Sequence, residues 1–65
     1  MNAFKKMRLL SGKTIKEVVE ETSLGYNNIL RWEKGESKPK ANVLPVLAKA
    51  YKCEIENFLS AYEKA

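Results

Sequence analysis

Two short apolar stripes of helical period, joined by four residues, constrain this chain more than any other feature. Ile15, Val18, Val19 and Thr22 recur on one helix face, and Ile29 and Trp32 do the same a few residues later. Residues 22–25 read Thr-Ser-Leu-Gly, a breaker that allows a turn and little else. Upstream, Thr14-Ile15-Lys16-Glu17 has the form of a capping box, in which the Thr14 hydroxyl accepts from the Glu17 amide while the Glu17 carboxylate reaches back. The spacing therefore predicts a helix over about residues 15–21 and a second over about 26–33, closed by Lys34-Gly35. Two helices of about eight residues across so short a turn describe a helix-turn-helix unit.

The rest of the chain reads as helix too. Phe4, Met7 and Leu10 mark a helix over about residues 2–10, stopped by Ser11-Gly12-Lys13. Residues 36–40 form a polar loop containing Pro39. Leu44, Leu47, Ala48 and Tyr51 define a fourth helix with Pro45 in its first turn, where its missing N–H costs little. Beyond Lys52-Cys53, Ile55, Phe58, Leu59 and Tyr62 point inward from a fifth helix over about residues 55–63. No strand pattern, repeat or low-complexity tract interrupts this series. The expectation is an all-α fold, a compact five-helix domain spanning residues 1–65, with the helix-turn-helix at helices 2 and 3.

Composition removes several classes of chemistry. The 65 residues include no histidine, no aspartate and one cysteine, Cys53. A zinc site, a disulfide framework and histidine-based acid–base catalysis are thereby excluded, and nothing suggests an enzyme or a cofactor. Cys53 is expected in the core. Lys and Arg number 12 against 8 glutamates, a net charge of +4, which suits a polyanionic partner. Lys5, Lys6, Arg8, Lys13 and Lys16 fall in a stretch without an acid, whereas Glu54, Glu56 and Glu63 make the other end acidic. No apolar run approaches the ~18–20 residues of a membrane span. Charges at positions 5, 6 and 8 interrupt the place where a signal peptide needs its apolar stretch. A soluble, cytoplasmic protein is expected, with no membrane and no metal partner.

The helix over 26–33 has the residues of a reading head. With Ile29 and Trp32 turned inward, Tyr26, Asn27, Asn28, Leu30 and Arg31 face elsewhere. Asn pairs bidentately with adenine and Arg with the O6 and N7 of guanine. A polar solvated face remains the plain alternative for this segment.

At these residues the chain resembles a known family. The runs 14–19 and 29–35, then Lys38-Pro39, then Leu47-Ala48-Lys49-Ala50-Tyr51, look like the lambda-repressor-like, Cro-type helix-turn-helix family, over about residues 3–60. The most specific piece is Ile29 with Trp32-Glu33 and Gly35, followed by Pro39. The resemblance implies a small transcriptional regulator that places its third helix in the major groove of double-stranded DNA. Tyr26, Asn27 and Arg31 then fall at base-reading positions with Asn28 on their flank, although Tyr26 alternatively stacks along the sugar-phosphate edge. Thr14, Lys16, Lys34, Lys38, Lys40 and Asn42 become phosphate contacts. Arg8 and Glu33 become a structural ion pair between the first helix and the end of the third. Leu59 and Tyr62 become a homodimer surface, unless they complete the monomer's own core.

Four residues depart from the family pattern. Ile15 replaces a glutamine that commonly meets a phosphate, leaving an apolar side chain expected at the surface. Val19 replaces a small alanine between close helices, which widens their expected spacing. Ser23 replaces the turn glycine, so either it takes a positive φ or the turn rearranges around Gly25. Leu30 on the outer face meets a thymine methyl or marks a protein-binding surface. The second reading, a protein-interaction module of antitoxin or anti-repressor type on the same fold, draws on Ile15, Leu30, Glu20 and Glu21.

Overall fold

A computed structural model describes residues 2–62; the predicted end of the fifth helix at position 63 lies outside them. Four α-helices, α1 (Ala3–Leu10), α2 (Ile15–Thr22), α3 (Tyr26–Lys34) and α4 (Leu44–Tyr51), are followed by a 3₁₀ helix, Ile55–Tyr62. A single 3₁₀ turn, Ala41–Val43, leads into α4. The described residues contain no strand.

Local chemistry accounts for each boundary. Asn2 caps α1 by accepting from the Lys5 amide at 3.1 Å, and its Nδ2 donates to the Trp32 carbonyl at 2.6 Å. One side chain thus starts the first helix and fastens it to the end of the third. The capping box of α2 is closed from both sides, Glu17 N to Thr14 Oγ1 at 3.1 Å and Thr14 N to Glu17 Oε1 at 2.8 Å. Gly35 ends α3 at φ 79°, and the Glu36 amide closes back on the Arg31 carbonyl at 3.0 Å, in the manner of a Schellman motif. Lys52 ends α4 in the same left-handed region.

Ser23 resolves the choice left open at the turn. It takes the left-handed conformation itself, φ 62° and ψ 16°, while Gly25 is extended and caps α3. The Thr22 hydroxyl supports this turn, donating to the Val18 carbonyl at 2.7 Å and accepting from the Leu24 amide at 3.2 Å. A left-handed residue with a Cβ costs of order 1 kcal/mol, partly returned because glycine frees the unfolded chain. Ser23→Gly is therefore expected to raise stability by about 0.5–1 kcal/mol, read as a rise in Tm of roughly 2–8 °C by circular dichroism.

The core runs through the middle of the helix layer. Phe4, Val18, Ile29, Leu47 and Phe58 are essentially sealed, with Trp32, Leu44, Ala48, Ala50 and Tyr51 around them. Phe4 stacks on Phe58 at 5.2 Å between centroids, so α1 meets the C-terminal 3₁₀ helix. Burial of one such aromatic stabilises by about 1.5–3 kcal/mol, and a domain this small has few to spare.

Four expectations need correction. Leu10 is 72% exposed, because three-residue steps drift by about 60° each against a helix of 3.6 residues per turn. Phe4, Met7 and the stem of Arg8 form the inner face instead. The C-terminal helix is 3₁₀ and not α, and its three-residue period turns Leu59 about 120° away from sealed Phe58, to 46% exposure; Ile55, one turn before Phe58 at the helix start, is 38% exposed. Ile15 is half-buried against the core and not a surface residue. Cys53 is half-buried, packed beside the core, and its thiol pKa is pushed up by burial and then by Glu54.

Candidate nucleic-acid interface

The helix α3 lies with one face pinned and the other open. Ile29 and Trp32 are buried, whereas Tyr26, Asn27, Asn28 and Arg31 are all exposed, Tyr26 to 51%. Asn27 and Arg31, four residues apart, lie one above the other on the outer face. Leu30 beside them is half-buried. The side chain of Asn28 folds toward the helix start, where a Cβ on Gly25 would lie 3.2 Å from its Nδ2. Glycine at 25 keeps that space open.

The first turn of α3 carries no acid and no side-chain cap, so its amides face outward unpaired by any side chain. Together with the helix dipole they favour an anion. In α2 the corresponding place is filled. The Thr14 hydroxyl and the Glu17 carboxylate are engaged in the capping box, leaving exposed Lys16 as the more available cation there. Glu21 is neutralised by Lys13, whose Nζ sits 2.8 Å from Glu21 Oε2 and also donates to the Ala50 carbonyl. One of the two α2 glutamates near the reading face thus has its charge answered; Glu20 stays exposed.

Beyond α3, Lys34, Lys38, Lys40 and Asn42 are exposed along the connection to α4. This connection is less solvated than its composition suggests, because Pro39 between two lysines is buried. The Tyr62 hydroxyl reaches this point and donates to the Pro39 carbonyl at 2.7 Å. Of the residues proposed as a dimer surface, Leu59 is exposed, whereas Tyr62 is half-buried and engaged within the chain.

An ion pair sets the position of α3. Arg8 grips Glu33 bidentately, Nε to Oε2 at 2.6 Å and Nη2 to Oε1 at 2.9 Å, and its Nη1 donates to the Lys13 carbonyl at 2.9 Å. The side chains are only 11% and 4% exposed. Hydrogen bonding to Glu33 raises the Arg8 pKa against the opposing effect of burial, so the guanidinium is charged at any physiological pH. The Tyr51 hydroxyl is buried with no partner among the described residues; burial, and then the Glu33 charge, push its pKa upward.

Sequence reasoning did not find the Tyr62–Pro39 contact, the Asn2–Trp32 contact or the double duty of Lys13. Asn2–Trp32, Lys13–Ala50 and Tyr62–Pro39 join residues more than 20 apart and end on carbonyls, which leave no mark in residue type. No group of three or more metal-ligating side chains occurs among the described residues, and no helix there is long and apolar enough to cross a membrane.

A family model described as helix-turn-helix matches residues 4–58. No curated protein and no solved structure matches the chain.

Proposed function

Because the chain belongs to the lambda-repressor-like helix-turn-helix family of DNA-binding regulators, we propose that it binds double-stranded DNA sequence-specifically, with α3 in the major groove. The open outer face of α3 carries this reading. Asn27 and Arg31 sit on it one turn apart, on a helix whose other face is locked by Ile29, Trp32 and the Arg8–Glu33 pair. Asn27 reads adenine and Arg31 reads guanine, with Tyr26 and Asn28 at the helix start. Lys16, Lys34, Lys38, Lys40 and Asn42 bind phosphates, joined at the start of α2 by Thr14.

One such domain makes few base contacts, so the protein acts as a two-fold dimer on a palindromic operator, with half-sites about 34 Å apart. Exposed Leu59 supports a pairing surface on the C-terminal helix. The setting is a phage, mobile-element or bacterial repressor, working in the cytoplasm on its operator. Ile15 packs against the core and Lys13 answers Glu21, which takes weight from the alternative of a protein-binding module. Half-buried Leu30 remains the residue through which a protein partner would act.

Selection of the purified protein against a random duplex library at near-physiological salt tests this reading. A dyad-symmetric motif is expected; a folded protein that enriches no motif would sink it. Leu59→Glu is expected to weaken operator binding while leaving helical content intact, measured by fluorescence anisotropy and circular dichroism. Equal binding by the variant would remove the dimer surface from the proposal.

A further inference from the structure

The connection between α3 and α4 is held from the far end of the chain. Glu36 closes α3 through its amide, and the Lys40 carbonyl opens the following 3₁₀ turn by accepting from the Val43 amide at 2.9 Å. Between them the described residues make one hydrogen bond to the connection, from the Tyr62 hydroxyl to the Pro39 carbonyl at 2.7 Å. Two further contacts orient that tyrosine. Its ring stands edge-on to Phe4, with centroids 6.3 Å apart at 81°, and Lys38 Nζ lies 5.6 Å from its centroid.

Both attachments land on the peptide that carries Lys38 and Lys40. Lysine stems are rich in rotamers, and ordering them at a phosphate costs free energy that a fixed backbone reduces. Proline fixes φ only at its own position; the ψ of Pro39 sets where Lys40 emerges. A hydrogen bond to the Pro39 carbonyl holds that dihedral. The face of the ring, meanwhile, draws Lys38 through a cation–π contact. Phe4 on α1 holds the ring in place, so the connection is referenced to the core and not to solvent.

We propose that Tyr62 is a positioning residue of the DNA interface, fixing the Lys38–Lys40 peptide so that both lysines reach one stretch of phosphate backbone. The proposal rests on the DNA-binding reading above. The far end of the chain thereby contributes to affinity without touching DNA. Burial raises the pKa of the Tyr62 hydroxyl, which keeps it a donor across the neutral range.

Two variants separate the contacts. Tyr62→Phe keeps the ring and loses only the bond to Pro39; Tyr62→Leu loses both. Duplex affinity is measured across a salt series for each, beside wild type, with backbone order parameters of the free proteins from amide relaxation at Ser37, Lys38 and Lys40. Lower order parameters there are expected at unchanged helical content. Affinity is expected to fall about threefold for Phe, the scale of one hydrogen bond, and about tenfold for Leu. The slope of log affinity against log salt should shrink by about one unit for Leu. Adding Lys38→Ala to Tyr62→Leu should then cost little more, because that lysine is already displaced.

Wild-type affinity and slope in both variants would overturn the assignment. So would a fall in affinity with an unchanged slope and additive Lys38→Ala, since that pattern reports lost stability alone. If wild type itself shows no salt-dependent binding to any duplex, the DNA-binding reading fails, and the assignment falls with it.

Discussion

Arg8→Met is expected to remove a large share of the folding stability. The substitution strands the Glu33 carboxylate, which is 4% exposed and whose hydrogen bonds among the described residues all come from Arg8. Removing one member of a buried pair costs about 3–5 kcal/mol. A chain of this length has a total stability of roughly 3–10 kcal/mol, so the loss consumes much of it. The Lys13 carbonyl loses its donor as well, which loosens the connection between α1 and α2. Urea unfolding followed by circular dichroism measures the effect. The double variant Arg8→Met with Glu33→Leu should recover most of the loss, because no buried charge is left unpaired. A single variant as stable as wild type would show that α3 is positioned without the pair.

Tyr51→Phe makes the instructive contrast within the same neighbourhood. Its hydroxyl is buried and unpartnered, so deleting it removes a desolvated group and no hydrogen bond seen in the structure. Stability is expected to be unchanged or to rise by up to about 1 kcal/mol. A loss well above that would place a bridging water or a bond to the ion pair at this hydroxyl.

Arg31→Ala is expected to lower affinity for the preferred duplex by about 1–3 kcal/mol, or roughly fivefold to 150-fold, and to relax discrimination at one base pair. Arg31 is exposed and forms no ion pair among the described residues, so the fold should be unaffected. Lys40→Ala provides the comparison. As a phosphate contact it should weaken binding evenly across sequences and lower the salt slope by about one unit. Binding of each variant to a panel of single-base operator substitutions distinguishes the two roles. Even weakening by Arg31→Ala would make it a backbone contact and leave Asn27 as the principal reader.

The all-helical architecture and the helix-turn-helix are written locally, and this is why they are legible in the chain. The Thr14–Glu17 box, Gly35 after Lys34 and the inward spacing of Val18, Ile29 and Trp32 each act within one or two turns. Such interactions depend on neighbours in sequence, so residue type and spacing report them directly. Leu10 shows the limit of that reasoning, since apolar character at a three-residue step does not guarantee a place on the buried face. Leu59 shows it again: four residues after Ile55 an α period turns a side chain by about 40° and a 3₁₀ period by about 120°, enough to take it off the inward stripe.

For this protein, then, the sequence by itself determined the helices, their caps, the connection at residues 22–25, the family and the excess of positive charge. Tertiary structure decided which residues those helices spend on one another. Lys13 is committed to Ala50 and Glu21, Asn2 to Trp32 and Tyr62 to Pro39, whereas the Arg8–Glu33 pair is already implied by the family resemblance. Each partner lies at least eight residues away, and several are backbone carbonyls, a group every residue carries. A lysine on an outward face and a lysine bound to a helix end are the same letter. Only the packing of α1, α4 and the C-terminal helix against the helix-turn-helix separates the cations that hold the fold from those left exposed to solvent.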